Sequence, residues 1–227
     1  MILSIPDVLS PAAAAAMRER LEAADSWVDG RATAGYQGAP VKRNQQIGEG
    51  SPIASELGDA ILAALERHPL FISAVLPNRV YPPLFNRYEG GMAFGSHVDG
   101  AIRIVSGHGA RVRTDVSVTV FLTPPADYEG GELVIEDTFG VHEVKLPAGH
   151  AIVYPATSLH QVRAVTRGAR ISSFFWVQSL VRDDAQRALL FDLDNAIQRL
   201  NASNADETAR RALVGSYHNL LRMWSET

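Results

Sequence analysis

The 227-residue sequence contains no cysteine. This absence excludes disulfide bonds, thiolate-held metal ions, iron–sulfur clusters and cysteine nucleophiles. Any metal ion bound by this chain must therefore take its protein ligands from histidine, aspartate or glutamate side chains.

The sequence also lacks long apolar runs, a secretion signal and an excess of basic residues. No apolar run approaches the length of about 18 residues that a membrane span requires, so no membrane partner is expected. Residues 1–7 have no basic segment, and Pro6 and Asp7 interrupt their apolar run, so the sequence predicts a cytoplasmic protein. With 21 lysine and arginine residues against 25 aspartate and glutamate residues, the net charge of −4 provides no basic field for non-specific binding of nucleic acid.

The composition is that of a globular protein, with 46% hydrophobic and 20% charged residues. Two helices are predicted near the N-terminus, because Ser10 and Ser51 are good N-cap residues and each precedes a proline at the first helical position. We expect these helices, within residues 10–67, to buttress the rest of the protein. Residues 29–50 are rich in glycine, glutamine and asparagine, which predicts a loop or irregular strands.

Between about residues 79 and 180 the pattern changes to short β-branched and aromatic runs. Seven such runs, separated by glycine and proline turns and by no helical stretch, predict a β-sandwich or barrel. Two amphipathic stretches follow, at 183–200 and 204–224, which either pack on the sheet or pair with another subunit in a homodimer. The predicted organisation is one domain over residues 1–180, with its β-core at about 79–180, and a C-terminal helical extension over 181–227.

His97 and Asp99 are the first candidate metal ligands. Of the seven histidines, only His97 has a carboxylate two residues away within a β-rich context. Residues i and i+2 of an extended strand project to the same face, so both side chains are expected to point into one cavity. His160, which follows a turn at the start of another predicted strand, supplies a third ligand. Two histidines and one carboxylate form a facial triad with open positions, as in non-haem Fe(II) oxygenases.

Arg170 lies ten residues after His160 and begins a further predicted strand. If the two strands pair directly about Arg167, Arg170 faces the same side as His160 at about 13 Å along the strand. That spacing suits a metal-bound diacid whose far carboxylate is held by the guanidinium group. In a sandwich the two strands instead belong to different sheets, and the sequence leaves both arrangements open.

Four residues together carry a family resemblance: His97, Asp99, His160 and Arg170. Their order and spacing resemble those of the Fe(II)- and 2-oxoglutarate-dependent dioxygenases. The resemblance implies a mainly β fold, with a double-stranded β-helix (jelly-roll) core and flanking helices. It also implies that the two histidines and the aspartate bind Fe(II) and that the arginine binds the distal carboxylate of 2-oxoglutarate. Tyr88 is similar to a tyrosine that reaches this cosubstrate in related enzymes.

Further segments narrow the resemblance. N-R-Y-E-G-G at 86–91 and E-G-G-E-L at 129–133 are similar to the prolyl 4-hydroxylase-like branch. P-A-G at 147–149, Y-P at 154–155 and the helical extension resemble the bacterial PKHD-type hydroxylases, a family associated with iron uptake. The implied reaction converts 2-oxoglutarate to succinate and CO2 and hydroxylates a small molecule or a protein side chain, with L-ascorbate as a suggested reductant.

Two other functions stay open at the level of sequence. One is a non-enzymatic β-sandwich that senses iron or 2-oxoglutarate, and the other is an oxidative nucleic-acid demethylase of the same superfamily. Taken singly, the residues also have structural interpretations, since an isolated His-x-Asp is commonly a surface turn, Arg170 a salt-bridge partner and Tyr88 a core aromatic. The ordered set favours the hydroxylase. His150 is assigned no role.

Overall fold

A computed structural model of the chain describes residues 1–35, 38–138, 140–203 and 206–227. Within these residues the chain forms five α-helices and seventeen β-strands. The helices are α1 (Pro11–Glu22), α2 (Pro52–Leu65), α3 (Pro69–Val75), α4 (Asp184–Asn201) and α5 (Glu207–Trp224). The strands are β1 (Leu3–Ile5), β2 (Trp27–Asp29), β3 (Lys42–Arg43), β4 (Gln45–Ile47), β5 (Pro77–Val80), β6 (Leu84–Glu89), β7 (Ala93–His97), β8 (Ile102–Ile104), β9 (Arg111–Arg113), β10 (Val116–Phe121), β11 (Glu129–Gly130), β12 (Leu133–Asp137), β13 (Gly140–Val144), β14 (Ala151–Pro155), β15 (Leu159–Val162), β16 (Val165–Arg167) and β17 (Ala169–Ser179). None of the helices in these described ranges combines the length and the apolar character needed to span a bilayer.

The two N-terminal helices form where the sequence predicts them. The side-chain oxygen of Ser10 accepts a hydrogen bond from the backbone N–H of Ala13 at 3.2 Å, and Ser51 accepts one from Ala54 at 3.4 Å. Each serine therefore satisfies one of the free N–H donors in the first turn of its helix. The short helix α3 is missing from the sequence prediction, because it spans seven residues and begins without a side-chain cap.

The strands form two main antiparallel sheets. The larger sheet has the order β1-β14-β10-β17-β6-β4-β2, with β5 also paired to β17, and the smaller sheet has the order β13-β12-β15-β7-β3. Separate two-stranded ladders join β11 to β16 and β8 to β9. The eleven-residue strand β17 lies at the centre of the larger sheet, because it pairs with β10 on one side and with β6 and β5 on the other.

The two sheets face each other, and helices cover the outer face of the larger sheet. Tyr88 and Phe121 of the larger sheet pack in one apolar cluster with Ile135 of the smaller sheet. Phe175 of β17 packs in a second cluster, on the face of the larger sheet away from the smaller sheet. This cluster includes Ile61 of α2. The N-terminal helices therefore buttress the β-core, and the prediction of a mainly β fold with flanking helices is confirmed.

His160 and Arg170 lie in different sheets. His160 belongs to β15 of the smaller sheet and Arg170 to β17 of the larger one. Direct pairing of their strands about Arg167 is therefore wrong, because the intervening strand β16 pairs with β11 instead. The two side chains consequently approach the space between the sheets from opposite sides.

The segment at 29–50 contains more regular structure than the sequence suggests. It forms β3 and β4, which add to the smaller and the larger sheet respectively, while β2 ends at Asp29 and pairs with β4. Positions 36 and 37 of this segment lie outside the described residues. Irregular strands, the second of the two predicted alternatives, are therefore present in this segment.

The C-terminal helices pack against the rest of the chain. α4 contacts α3, and Leu190 of α4 lies in an apolar cluster with Val181, against which Tyr217 of α5 also packs. Position 204, where the sequence prediction begins the last helix, lies outside the described residues. The homodimer through these helices and the domain boundary after residue 180 stay predictions.

Gly149 stands in a turn that only glycine fits. Its φ is +89°, and a Cβ atom added there would lie 2.3 Å from the backbone oxygen of Leu9. We expect Gly149→Ala to lower the free energy of unfolding by about 3 kcal/mol, because the left-handed conformation and the overlap each cost about 1–3 kcal/mol. The fall in Tm should be roughly 6–12 °C for a domain of this size, measured by calorimetry.

Gly107 provides the matched control for this substitution. Its φ is +80°, and a Cβ atom added there would meet nothing within 4 Å. Gly107→Ala should therefore cost only the conformational part, about 1 kcal/mol. Equal losses in the two variants would contradict the steric explanation for Gly149.

Candidate metal centre

His97, Asp99 and His160 meet in the space between the two sheets. His97 ends β7 and pairs in register with His160 of the neighbouring strand β15. Asp99 lies two residues beyond the end of β7, outside the regular strand. The Nε2 atoms of His97 and His160 lie 4.0 and 3.7 Å from the Asp99 carboxylate oxygens, and all three ligand atoms lie within 4.8 Å of one another.

Both imidazoles are oriented to present Nε2 to this point. Nδ1 of His97 lies 2.8 Å from the Gly95 carbonyl oxygen, and Nδ1 of His160 lies 3.0 Å from that of Ser158. Because a carbonyl can only accept, each Nδ1 carries the proton and the Nε2 lone pairs are left for a metal ion. Burial, and next the neighbouring His160, hold the pKa of His97 well below its usual range. Two imidazoles and one carboxylate fit a divalent ion such as Fe(II).

Ser117 and Phe94 fix the orientation of two of these side chains. The Ser117 hydroxyl, from β10 of the facing sheet, donates a hydrogen bond to Oδ2 of Asp99 at 2.6 Å. The Phe94 ring stacks on the His97 imidazole with 3.6 Å between the ring centres. Sequence reasoning missed Ser117, because a serine on a buried strand has no distinguishing pattern until the two sheets are brought together.

Arg170 is a buried cation without an acidic partner among the described residues. It is 1% exposed, and one terminal nitrogen donates to the Ser172 hydroxyl at 2.6 Å, which in turn donates to Oδ1 of Asn86 at 2.7 Å. Its Nε has no hydrogen-bond partner, and none of the ion pairs within the described ranges involves its guanidinium group. Because an unpaired buried charge is costly, the position is suited to an anionic ligand.

Tyr88 lies beside Arg170 on the neighbouring strand. The guanidinium carbon is 5.5 Å from the centre of the Tyr88 ring and 5.1 Å from that of Phe121. Burial raises the pKa of Tyr88 to about 12, so its hydroxyl stays protonated and is able to donate a hydrogen bond. The residue therefore belongs to the apolar cluster and also adjoins the buried cation.

One cavity of about 320 Å³ is lined by the triad, Arg170 and Tyr88. Its volume falls at the lower end of the range of about 300–1,000 Å³ that is typical of small-molecule sites. The cavity follows β17 from Arg170 to Trp176, and Lys42 also lines it. Sequence reasoning did not single out Lys42, because it lies in a segment without clear periodicity.

Two other histidines lie away from the triad. His142 Nε2 is 3.0 Å from the Asp137 carboxylate, and His150 Nε2 is 3.6 Å from the Asp7 carboxylate. Asp7 is exposed, so the His150 contact belongs to the surface of the protein. Neither histidine joins the group of ligand atoms described above.

The sequence is similar to known proteins along its whole length. Residues 83–178 match the 2OG-Fe(II) oxygenase superfamily, and residues 184–226 match the PKHD-type hydroxylase C-terminal domain. A PKHD-type hydroxylase of Paraburkholderia phymatum is 85% identical over 227 residues, which cover 100% of both chains.

Two solved structures share the arrangement of the sheets. A prolyl-4-hydroxylase of Pseudomonas putida superposes with a TM-score of 0.56 at 23% identity, covering 78% of this chain and 92% of that chain. A prolyl hydroxylase of Trichoplax adhaerens, solved with a peptide fragment of the hypoxia inducible factor oxygen degradation domain, gives 0.55 at 15% identity and covers 83% and 86%. The shared fold is the double-stranded β-helix, as the sequence predicts.

Proposed function

Because this chain belongs to the PKHD-type hydroxylases of the 2OG-Fe(II) oxygenase superfamily, we propose that His97, Asp99 and His160 bind its iron and that Arg170 binds its cosubstrate. The protein is an Fe(II)- and 2-oxoglutarate-dependent hydroxylase, an oxidoreductase that acts on an unidentified substrate. Family membership thus favours the enzyme over the non-enzymatic sensor. The observation that carries the residue assignment is the meeting of two Nε2 atoms and one carboxylate in the cavity that also contains the unpaired Arg170.

Fe(II) with 2-oxoglutarate, when bound, supplies the oxidant that hydroxylates a C–H bond while 2-oxoglutarate becomes succinate and CO2. The protein contributes three ligands and leaves the other positions around the metal open. Gly95 and Ser158 hold the imidazoles through their carbonyl oxygens, and Ser117 holds the carboxylate. These contacts orient the ligands before any metal arrives, which reduces the reorganisation that binding requires.

Arg170 provides the anion-binding part of the site. Its guanidinium group accommodates the distal carboxylate of 2-oxoglutarate, and the Ser172 hydroxyl fixes one terminal nitrogen for this contact. The protonated hydroxyl of Tyr88 is proposed as a further hydrogen-bond donor to the cosubstrate. The aromatic rings around the guanidinium group exclude water and so strengthen its attraction for a carboxylate.

The remaining proposals concern the substrate, the location and the reductant. A small molecule or a protein side chain is favoured over nucleic acid as the substrate, because the net charge is −4 and no basic excess exists to bind phosphates. A cytoplasmic location is proposed because 2-oxoglutarate is a metabolite of the cell interior. L-ascorbate as reductant and the link to iron uptake stay predictions.

Binding and turnover without a primary substrate test this function. Anaerobic addition of Fe(II) and 2-oxoglutarate should give a weak visible charge-transfer band, and admission of air should then release succinate. Removal of the metal with a chelator should abolish both signals, and restoring Fe(II) should return them. Absence of the band from the wild-type protein, or succinate release that persists after chelation, would count against the proposed function.

A further inference from the structure

The cavity extends beyond Arg170 along β17, and its far end lies at Trp176. Three residues on one face of β17 line the cavity: Arg170, Phe174 and Trp176. The first and last of them are six residues apart, which corresponds to roughly 20 Å along the strand. Trp176 pairs with Ser117, the residue that holds Asp99, so this end adjoins the triad. With 2-oxoglutarate at the Arg170 end, the Trp176 end is left for the primary substrate.

Three polar side chains from one segment line the same cavity. Lys42, Asn44 and Gln46 occupy alternate positions of the chain, and none is more than 4% exposed. Thr33 links two of them, because its hydroxyl accepts from Lys42 Nζ at 3.0 Å and donates to Gln46 Oε1 at 2.5 Å. Nε2 of Gln46 has no hydrogen-bond partner among the described residues, whereas the Asn44 side chain interacts with Tyr88, at the Arg170 end of the cavity. Buried polar atoms without partners indicate that a ligand supplies the missing hydrogen bonds.

Lys42 brings a positive charge to this end and forms no ion pair among the described residues. No carboxylate within the described part of the chain lies within 4.0 Å of its Nζ. Nζ lies 5.1 Å from the Phe94 ring centre and 5.8 Å from that of Phe174, and such cation–π contacts offset only part of the loss of hydration. Burial, and next the charge of Arg103, lower the pKa of Lys42 to about 8. An anion entering the cavity would stabilise this ammonium group.

Arg103 is a second cation near Lys42, but its charge is partly balanced. Its guanidinium carbon lies 4.6 Å from the Trp176 ring centre, and one nitrogen lies 3.6 Å from a Glu49 carboxylate oxygen. Among the described residues Lys42 has no carboxylate at such a distance, and the charges of Asp99, Asp29 and Glu49 act on it from farther away. The chain has just two lysines, and the other, Lys145, donates to backbone carbonyl oxygens. Lys42 is therefore the cation of this end that is free to pair with a ligand.

We propose that Lys42 binds a carboxylate of the primary substrate and that the amide of Gln46 completes its polar contacts. Phe174 and Trp176 pack against the apolar body of the same molecule. The substrate class is thus a small carboxylic acid with an apolar carbon skeleton. This inference rests on the proposed function, because it takes the Arg170 end to be filled by 2-oxoglutarate.

A probe pair that differs only in charge tests the inference. Lysine labelled with ¹³C at Cε gives two signals, and they are assigned with the Lys42→Met and Lys145→Arg variants. The protein is loaded with Zn(II), which is redox-inert, and with saturating 2-oxoglutarate, and is then titrated with phenylacetate or with its neutral analogue phenylacetamide. We expect phenylacetate to raise the titration midpoint of the Lys42 signal by about one pH unit or more, as an adjacent opposite charge does. Phenylacetamide should leave the midpoint unchanged, and Lys145 should respond to neither probe.

Calorimetric titration of the variants with the two probes measures binding without relying on the NMR signal of Lys42. Lys42→Met should lose the preference for phenylacetate over phenylacetamide, whereas Lys42→Arg and Lys145→Arg should keep it. An unmoved Lys42 signal, or a preference that survives in Lys42→Met, overturns the inference. Binding of 2-oxoglutarate to the Zn(II) protein is measured in the same samples. Failure of that binding would refute the proposed function and the inference with it, whereas normal binding with an unmoved Lys42 signal would overturn only the inference.

Discussion

Alanine in place of His160 should reduce Fe(II)-dependent formation of succinate from 2-oxoglutarate by at least about 100-fold, since loss of even an outer partner of a metal ligand costs about 10- to 100-fold. His160 is 5% exposed and supplies one of only three protein ligands in the proposed site. Its removal leaves two ligands, which hold a divalent ion weakly. The anaerobic charge-transfer band should disappear together with the succinate.

His108 provides the control for this substitution. It is exposed and lies in the turn between β8 and β9, away from the ligand atoms of the triad. His108→Ala should bind Fe(II) and release succinate as the wild-type protein does. Because loss of a buried side chain also lowers stability, the Tm of both variants is measured, and only a folded His160→Ala protein is compared. A folded variant with near wild-type succinate release would show that His160 is not an iron ligand.

Local signals in the sequence predict four of the five described α-helices and the short strands of the β-core. Ser10 and Ser51 define two helix starts, because an N-cap acts on N–H groups within three residues of itself. Alternation predicts the strands for the same reason, since the two faces of a strand are fixed by neighbouring positions. The identity of the triad follows from spacing and order, and the structure brings those three side chains together.

Relations between distant segments are not predicted in the same way. β1 at the N-terminus pairs with β14, about 150 residues later, and no local pattern specifies such a partner. The connection between His160 and Arg170 is a second case, because the intervening strand β16 pairs with β11 and the two residues lie in different sheets. Strand pairing depends on packing between sheets, so a sequence read in short windows leaves several arrangements equally acceptable.

The same limit applies to the parts of the site other than the triad. Ser117 and Lys42 reach the cavity from strands of different sheets, and neither lies in a spaced motif. The composition singles out the lysines, because the chain has just two of them. Lys42 is one of these two and is buried, which is unusual for a lysine. The sequence alone does not show which lysine is buried, so it does not identify Lys42 as a candidate site residue.

Leucine in place of Arg170 should raise the KM for 2-oxoglutarate by about 30-fold or more, because truncating one partner of a buried charge pair costs at least about 2 kcal/mol. The surroundings of the guanidinium group include the Tyr88 and Phe121 rings, so leucine is expected to be tolerated by the fold. Arg170→Lys should fall between leucine and the wild type, since lysine keeps the charge but not the planar pair of donors. The KM is measured from succinate formation at saturating Fe(II).

Arg167 offers a matched control three residues away. Its side chain is 60% exposed and forms a surface ion pair with Glu129, and such pairs contribute about 0–1 kcal/mol. Arg167→Leu should therefore keep the wild-type KM. Metal binding distinguishes a defect in cosubstrate binding from a general one, because Arg170→Leu retains all three proposed iron ligands and should still bind Fe(II). A wild-type KM in Arg170→Leu would mean that the buried guanidinium group is structural, and the cosubstrate carboxylate would then have to bind another cation in the cavity.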